Sequence, residues 1–150
     1  MPQTHPSAQT WSTATSTNAQ NGRVIIFRFV DDLQPGFESS TQPVRIIIQW
    51  EYDNEVGQGM PQPEEHARMD MLEDILDPVV SQDGCATLVL VSTGEHLREW
   101  VYYSRSEDEF MSRLNQALAG QPPFPLEIHI AQDAEWSTWR DFKDGLQTIV

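Results

Sequence analysis

Residues 44–53, VRIIIQWEYD, place an apolar side chain at every second position. Val44, Ile46, Ile48, Trp50 and Tyr52 fall on one face, while Arg45, Gln49, Glu51 and Asp53 fall on the other with Ile47. A period of two is the pleat of a β-strand with one face buried. The chain must therefore build a sheet and supply something to cover it.

Four more segments read as strands. Residues 23–30, RVIIFRFV, are β-branched and aromatic, as a pleated surface favours. A Pro35-Gly36 turn and a long connection then predict a hairpin with residues 44–53. Residues 85–93, CATLVLVST, are apolar on both faces and predict a central strand. Residues 97–103 follow a Gly94-Glu95 turn, and residues 126–131 turn Leu126, Ile128 and Ile130 inward.

Helices separate these strands. The first is predicted from about Pro63 to Leu76, with Glu64 and Glu65 at its positive end, a stripe including Met69, Leu72 and Leu76, and Pro78 as its stop or kink. Ser106 and Glu109 predict a capping box at the start of a second helix, which buries Phe110 and Leu114. Asp133 is positioned to cap a final helix carrying Trp136, Trp139, Phe142, Leu146 and Ile149. The resulting fold class is α+β: a ferredoxin-like β-α-β-β-α-β sandwich with an antiparallel sheet, an extra N-terminal strand extending its edge and a C-terminal helix. Residues 1–22 contain no Asp, Glu, Lys or Arg and only one large apolar side chain, Trp11. They predict a disordered tail, leaving residues 23–150 as a single domain.

Charge narrows the function classes. The chain carries a formal −14, which argues against nucleic-acid binding through phosphates. Two-thirds of that charge lies in residues 51–83, with ten acids against one base, Arg68. Such a unit can steer a basic partner. The residues expected to do so are Glu51, Asp53, Glu55, Glu64 and Glu65. No run of 18 apolar residues is present, and the N-terminus lacks a basic start and an apolar stretch. Neither a membrane span nor a secretory signal is expected, and the expected compartment is the cytoplasm.

Chemistry-bearing patterns are sparse. A lone Cys85 and four histidines without H-x-x-x-H spacing make no metal set, and no cofactor fingerprint occurs. The alternative to partner binding is a ligand or catalytic site on the polar sheet face around Arg98, Glu99, Glu127 and His129. The seven rings at Trp50, Tyr52, Trp100, Tyr102, Tyr103, Trp136 and Trp139 are expected to be mostly core.

Several of these runs occur together in one known pattern. W-x-Y at 50–52, M-x-x-L-E-D-x-L at 69–76, T-G-E-H-L-R-E-W-V-Y-Y at 93–103, F-P-L-E-I-H at 124–129 and D-A-E-W-S-T-W-R-D-F at 133–142 resemble the bacterial family called domain of unknown function 695. The resemblance spans about residues 43–146, with Ala134 standing where that family is associated with a proline. It implies relatives rather than a reaction. In arrangement the family is similar to the regulator of ribonuclease E activity B family, whose acidic ferredoxin-like members bind an enzyme. The combined expectation is a non-catalytic acidic module, a regulator or immunity-type inhibitor of a basic partner such as a nuclease or toxin.

Overall fold

A computed structural model describes residues 9–148. In chain order they form β1 (Thr10–Thr17), β2 (Val24–Asp32), β3 (Val44–Glu51), α1 (Pro63–Val80), β4 (Ala86–Gly94), β5 (Leu97–Ser104), α2 (Glu107–Leu118), β6 (Leu126–Gln132) and α3 (Ser137–Thr148). The six strands make one antiparallel sheet in the order β1-β2-β4-β5-β3-β6. The segment β3-α1-β4-β5-α2-β6 is the ferredoxin-like unit, and β2 and β1 extend its β4 edge.

Strand alternation divides the molecule into three layers. Ile46, Ile48 and Trp50 of β3 and Trp100 and Tyr102 of β5 face α1 and α2, where they bury Met69, Leu72, Leu76, Phe110 and Leu114. The opposite face takes Phe29, Val101 and Tyr103, covered by Trp136 and Trp139 at and in α3. Trp136 stacks on Tyr103 with ring centroids 4.4 Å apart, and Phe142 meets Phe27 and Phe29. All seven rings assigned to the core are buried, leaving Trp11 as the most exposed tryptophan at 38%.

Four expectations need correction. Residues 10–17 are not a disordered tail. They form β1, paired along its length with β2, because a Thr/Ser-rich segment with alternate side chains over a neighbouring strand needs little apolar area once its backbone is hydrogen-bonded. Residues 1–8 lie outside the described residues. Second, β2 and β3 are not a hairpin. Both edges of β3 are taken by β5 and β6, so β2 pairs with β4 instead.

Third, α1 does not stop at Pro78 but runs to Val80. A proline near the last turn removes only one ladder donor, and the Ser81 N–H still reaches the Asp77 carbonyl at 3.0 Å. Fourth, the capping box is half made. Ser106 Oγ accepts from the Glu109 N–H at 3.1 Å, but the Glu109 carboxylate pairs with Arg105 and Arg113. The Ser106 N–H turns instead to Ser104 Oγ. Ile149 also lies outside the described residues.

Asp133 anchors α3 as expected. Its carboxylate accepts from the Ser137 and Thr138 N–H groups at 2.9 and 3.1 Å and from the Tyr103 hydroxyl at 2.6 Å. Partial burial would raise its pKa, but these donors outweigh that and hold it at about 2. The contribution to stability is therefore full above the carboxylate's ordinary range and is lost as pH falls through about 2. The melting temperature should drop between pH 4 and pH 2, and Asp133→Asn should flatten that part of the profile. Independently, Ser106→Ala should cost roughly 0.5–2 kcal/mol in a denaturant melt.

Candidate functional site

A buried indole or phenol needs a partner for its N–H or O–H. Three such groups on the α1 side of the sheet find carboxylates on the helix. Trp50 Nε1 donates to Glu65 at 2.9 Å, Trp100 Nε1 to Glu73 at 2.9 Å and the Tyr102 hydroxyl to Asp77 at 3.0 Å. These acids lie eight and four residues apart along α1 and so share its sheet-facing stripe. Burial would raise Glu73, but hydrogen bonds from Arg28 and Trp100 keep its carboxyl below the usual range. Burial dominates at Asp77 and raises it, despite the bond from Tyr102.

The β1-β2 extension reaches beyond the cover of α1, so a trough runs between the helix and the outer strands. Arg28 crosses it. This side chain lies opposite Thr13 on β1 and Val91 on β4, pairs with Glu73 at 2.7 Å and sits 5.7 Å from the Trp11 ring centroid. The bridge separates two cavities. One, of about 650 Å³, is lined by residues including Trp11, Phe37, Asp77 and Leu88. The other, of about 290 Å³, has Ile26, Val91, Thr93 and Arg98 from the sheet, with Met60, His66 and Asp70 as its wall.

Arg98 is the anomaly in this region. It is only 3% exposed, yet its Nε and Nη1 have no hydrogen-bond partner among the described residues. Asp70 Oδ1 lies 3.7 Å from Nη1, an ion pair beyond hydrogen-bond length, and the guanidinium carbon is 5.5 Å from the Trp100 ring centroid. Burial lowers the arginine's pKa, against the charges of Asp70 and Glu73. Each unsatisfied buried donor costs about 1–3 kcal/mol.

The polar face read from the sequence is split by the sheet. Arg98 is one residue from Glu99 and so points to the opposite side. Glu99, Glu127 and His129 do share a face. Gln49, paired in register with Glu99 and Glu127, donates to Glu99 and lies 3.0 Å from His129 Nε2. His129 is also 3.5 Å from Glu127. Neither cavity is lined by Glu99, Glu127 or His129. α3 reaches the other end of these strands, where Arg45 donates to Thr138 at 2.8 Å.

The five acids expected to meet a partner fall into two groups. Glu65 is committed to Trp50, and Glu55 is paired with Arg23 at 2.8 Å and His96 at 3.2 Å. Glu51, Asp53 and Glu64 are exposed around the end of β3 and the start of α1. Asp53, Glu55 and His96 bring three ligand atoms within 4.8 Å of one another. Arg23 already supplies the cation there, bonded also to Glu95 at 3.0 Å. Glu95 and His96 both have positive φ, 51° and 66°, in the two-residue turn between β4 and β5. Gly59 closes on that turn at φ 88°, where a Cβ would lie 3.0 Å from the Glu95 nitrogen.

The sequence pattern hid one feature of this region. The count of acids in residues 51–83 does not say which of those on α1 turn inward. Only the matching aromatic N–H and O–H groups on β3 and β5 reveal it, through the register of the strands.

A family model described as "Family of unknown function (DUF695)" matches residues 9–143, so the chain belongs to that family. No curated protein matches the sequence. Among the described residues, no helix is long and apolar enough to cross a membrane.

The two kinds of acid should separate in denaturant unfolding. Glu73→Ala leaves the Trp100 N–H and Arg28 without their acceptor and should cost about 1–3 kcal/mol. Glu51→Ala, at an exposed position, should stay within about 0.5 kcal/mol of the parent.

Proposed function

We propose that this family member is a non-catalytic acidic binding module that docks a basic protein surface, as a regulator or inhibitor of a cytoplasmic enzyme or toxin does. The observation that carries the reading is the cluster of outward-facing acids at one end of the molecule. Glu51, Asp53 and Glu64 are exposed there, and Glu127 is exposed on the neighbouring strand. The patch is open rather than recessed, which suits a protein partner better than a small ligand. Its charge belongs to a chain of −14, so attraction to a basic partner extends past the contact itself. The interface comprises Glu51, Asp53 and Glu64, with Glu55 contributing through the Arg23–His96 cluster and Glu65 acting in support by holding Trp50.

The test uses the full chain, captured partner and association kinetics at low and high salt. The triple change Glu51→Lys, Asp53→Lys and Glu64→Lys should cut the association rate by on the order of tenfold or more and flatten its salt dependence. The melting temperature should hardly move, because exposed charges contribute little to stability. Glu107→Lys, in the first turn of α2, serves as the control. An unchanged rate and salt dependence in the triple variant would remove the acidic patch from the interface.

A further inference from the structure

We infer that the cavity of about 290 Å³ beside α1 binds a small apolar α-amino acid, its carboxylate on Arg98, its ammonium on Asp70 and its side chain against Ile26, Met60 and Val91. The site is separate from the proposed partner surface and does not depend on it.

Arg98 supplies the first reason. A guanidinium this deeply buried normally has its donors satisfied, yet two of them have no acceptor among the described residues. Its counter-charge, Asp70, is too far for a hydrogen bond at 3.7 Å, and the Asp70 side chain is 53% exposed at the cavity wall. The pair is a separated cation and anion at the cavity wall, and the second Asp70 carboxylate oxygen lies 3.3 Å from His66 Nδ1, one helical turn earlier in the same wall. A ligand bearing a carboxylate and an ammonium on one carbon satisfies both groups without adding net charge.

Charge balance selects that class over a simple anion. Arg28 is neutralised by Glu73 and Arg98 is opposed by Asp70. A phosphate or a monocarboxylate would bring uncompensated negative charge into a chain already at −14. A zwitterion brings none. The remaining sheet-side lining sets Ile26 and Val91 among Thr13, Arg28 and Thr93, and the cavity is small, near the lower limit of about 300 Å³ for ligand pockets, which suits a molecule of amino-acid size.

The test is a melting-temperature and calorimetric titration of the full chain with L-leucine, L-valine and L-methionine. Two fragments of leucine accompany them: 4-methylpentanoate, which lacks the ammonium, and 3-methylbutylamine, which lacks the carboxylate. At least one amino acid should raise the melting temperature in a saturable way, and neither fragment should at the same concentration. Asp70→Asn, at an exposed position, should weaken binding by about tenfold or more. Arg98→Met should abolish the shift while melting at or above the parent, since it removes a buried charge without good partners. Absence of any shift at about 10 mM, an equal shift with a fragment, or a shift that survives Arg98→Met overturns the assignment. Should Arg98→Met fail to fold, the fragments and Asp70→Asn decide the question on the same terms.

Discussion

Hydrogen bonds from the buried aromatic side chains of β3 and β5 to the carboxylates of α1 set where the helix can lie. Apolar contact between Met69, Leu72, Leu76 and the sheet is strong but has little direction, and would tolerate a helix slid or rolled by part of a turn. The Trp50–Glu65, Trp100–Glu73 and Tyr102–Asp77 bonds do not tolerate it, because each buried donor would lose its acceptor. The helix is thereby held at three levels along its axis. Its fixed position leaves the β1-β2 extension uncovered, opens the trough bridged by Arg28, and decides that Asp70 faces Arg98 while Glu64 and Asp74 face outward.

The ferredoxin-like unit was legible because its signals are local. Alternation in residues 44–53, the Gly94-Glu95 turn, the Ser106 cap and the Asp133 cap each act within a few residues, and each sits where its pattern places it. The two strand expectations that failed depend on pairing across long separations. The partner of β2 is decided by which edge of the sheet is vacant, and nothing in residues 23–30 encodes that vacancy. β1 escaped notice because a strand at an edge can be polar on both faces and still gain its backbone hydrogen bonds.

The candidate site was legible in composition and not in geometry. The acids of residues 51–83 stand out as a charge excess, but their division into structural acceptors and exposed groups follows from helix phase against strand register. Glu64 and Glu65 are adjacent in sequence and opposite in role: one is exposed, and the other holds Trp50. Arg98 and Glu99 show the same parity effect on a strand. Grouping them by proximity in sequence joined two faces that the sheet keeps apart.

β1 leaves one consequence for how copies of this protein behave in a crowded solution. Among the described residues its outer edge has no neighbouring strand, and its sequence, TWSTATST, contains neither charge nor proline. Such an edge is a template for further strand addition, and proteins commonly blunt theirs with lysine, proline or a bulge; here a register shift between Thr10 and Trp11 interrupts only the start of the strand. Here the protection is delegated from the edge to the whole molecule. Mutual repulsion between chains of −14 holds two such edges apart before their backbones can meet. That barrier is colloidal rather than structural, thinning wherever counterions shorten the reach of charge to about 3 Å, as in molar salt, or wherever acid removes the charge itself.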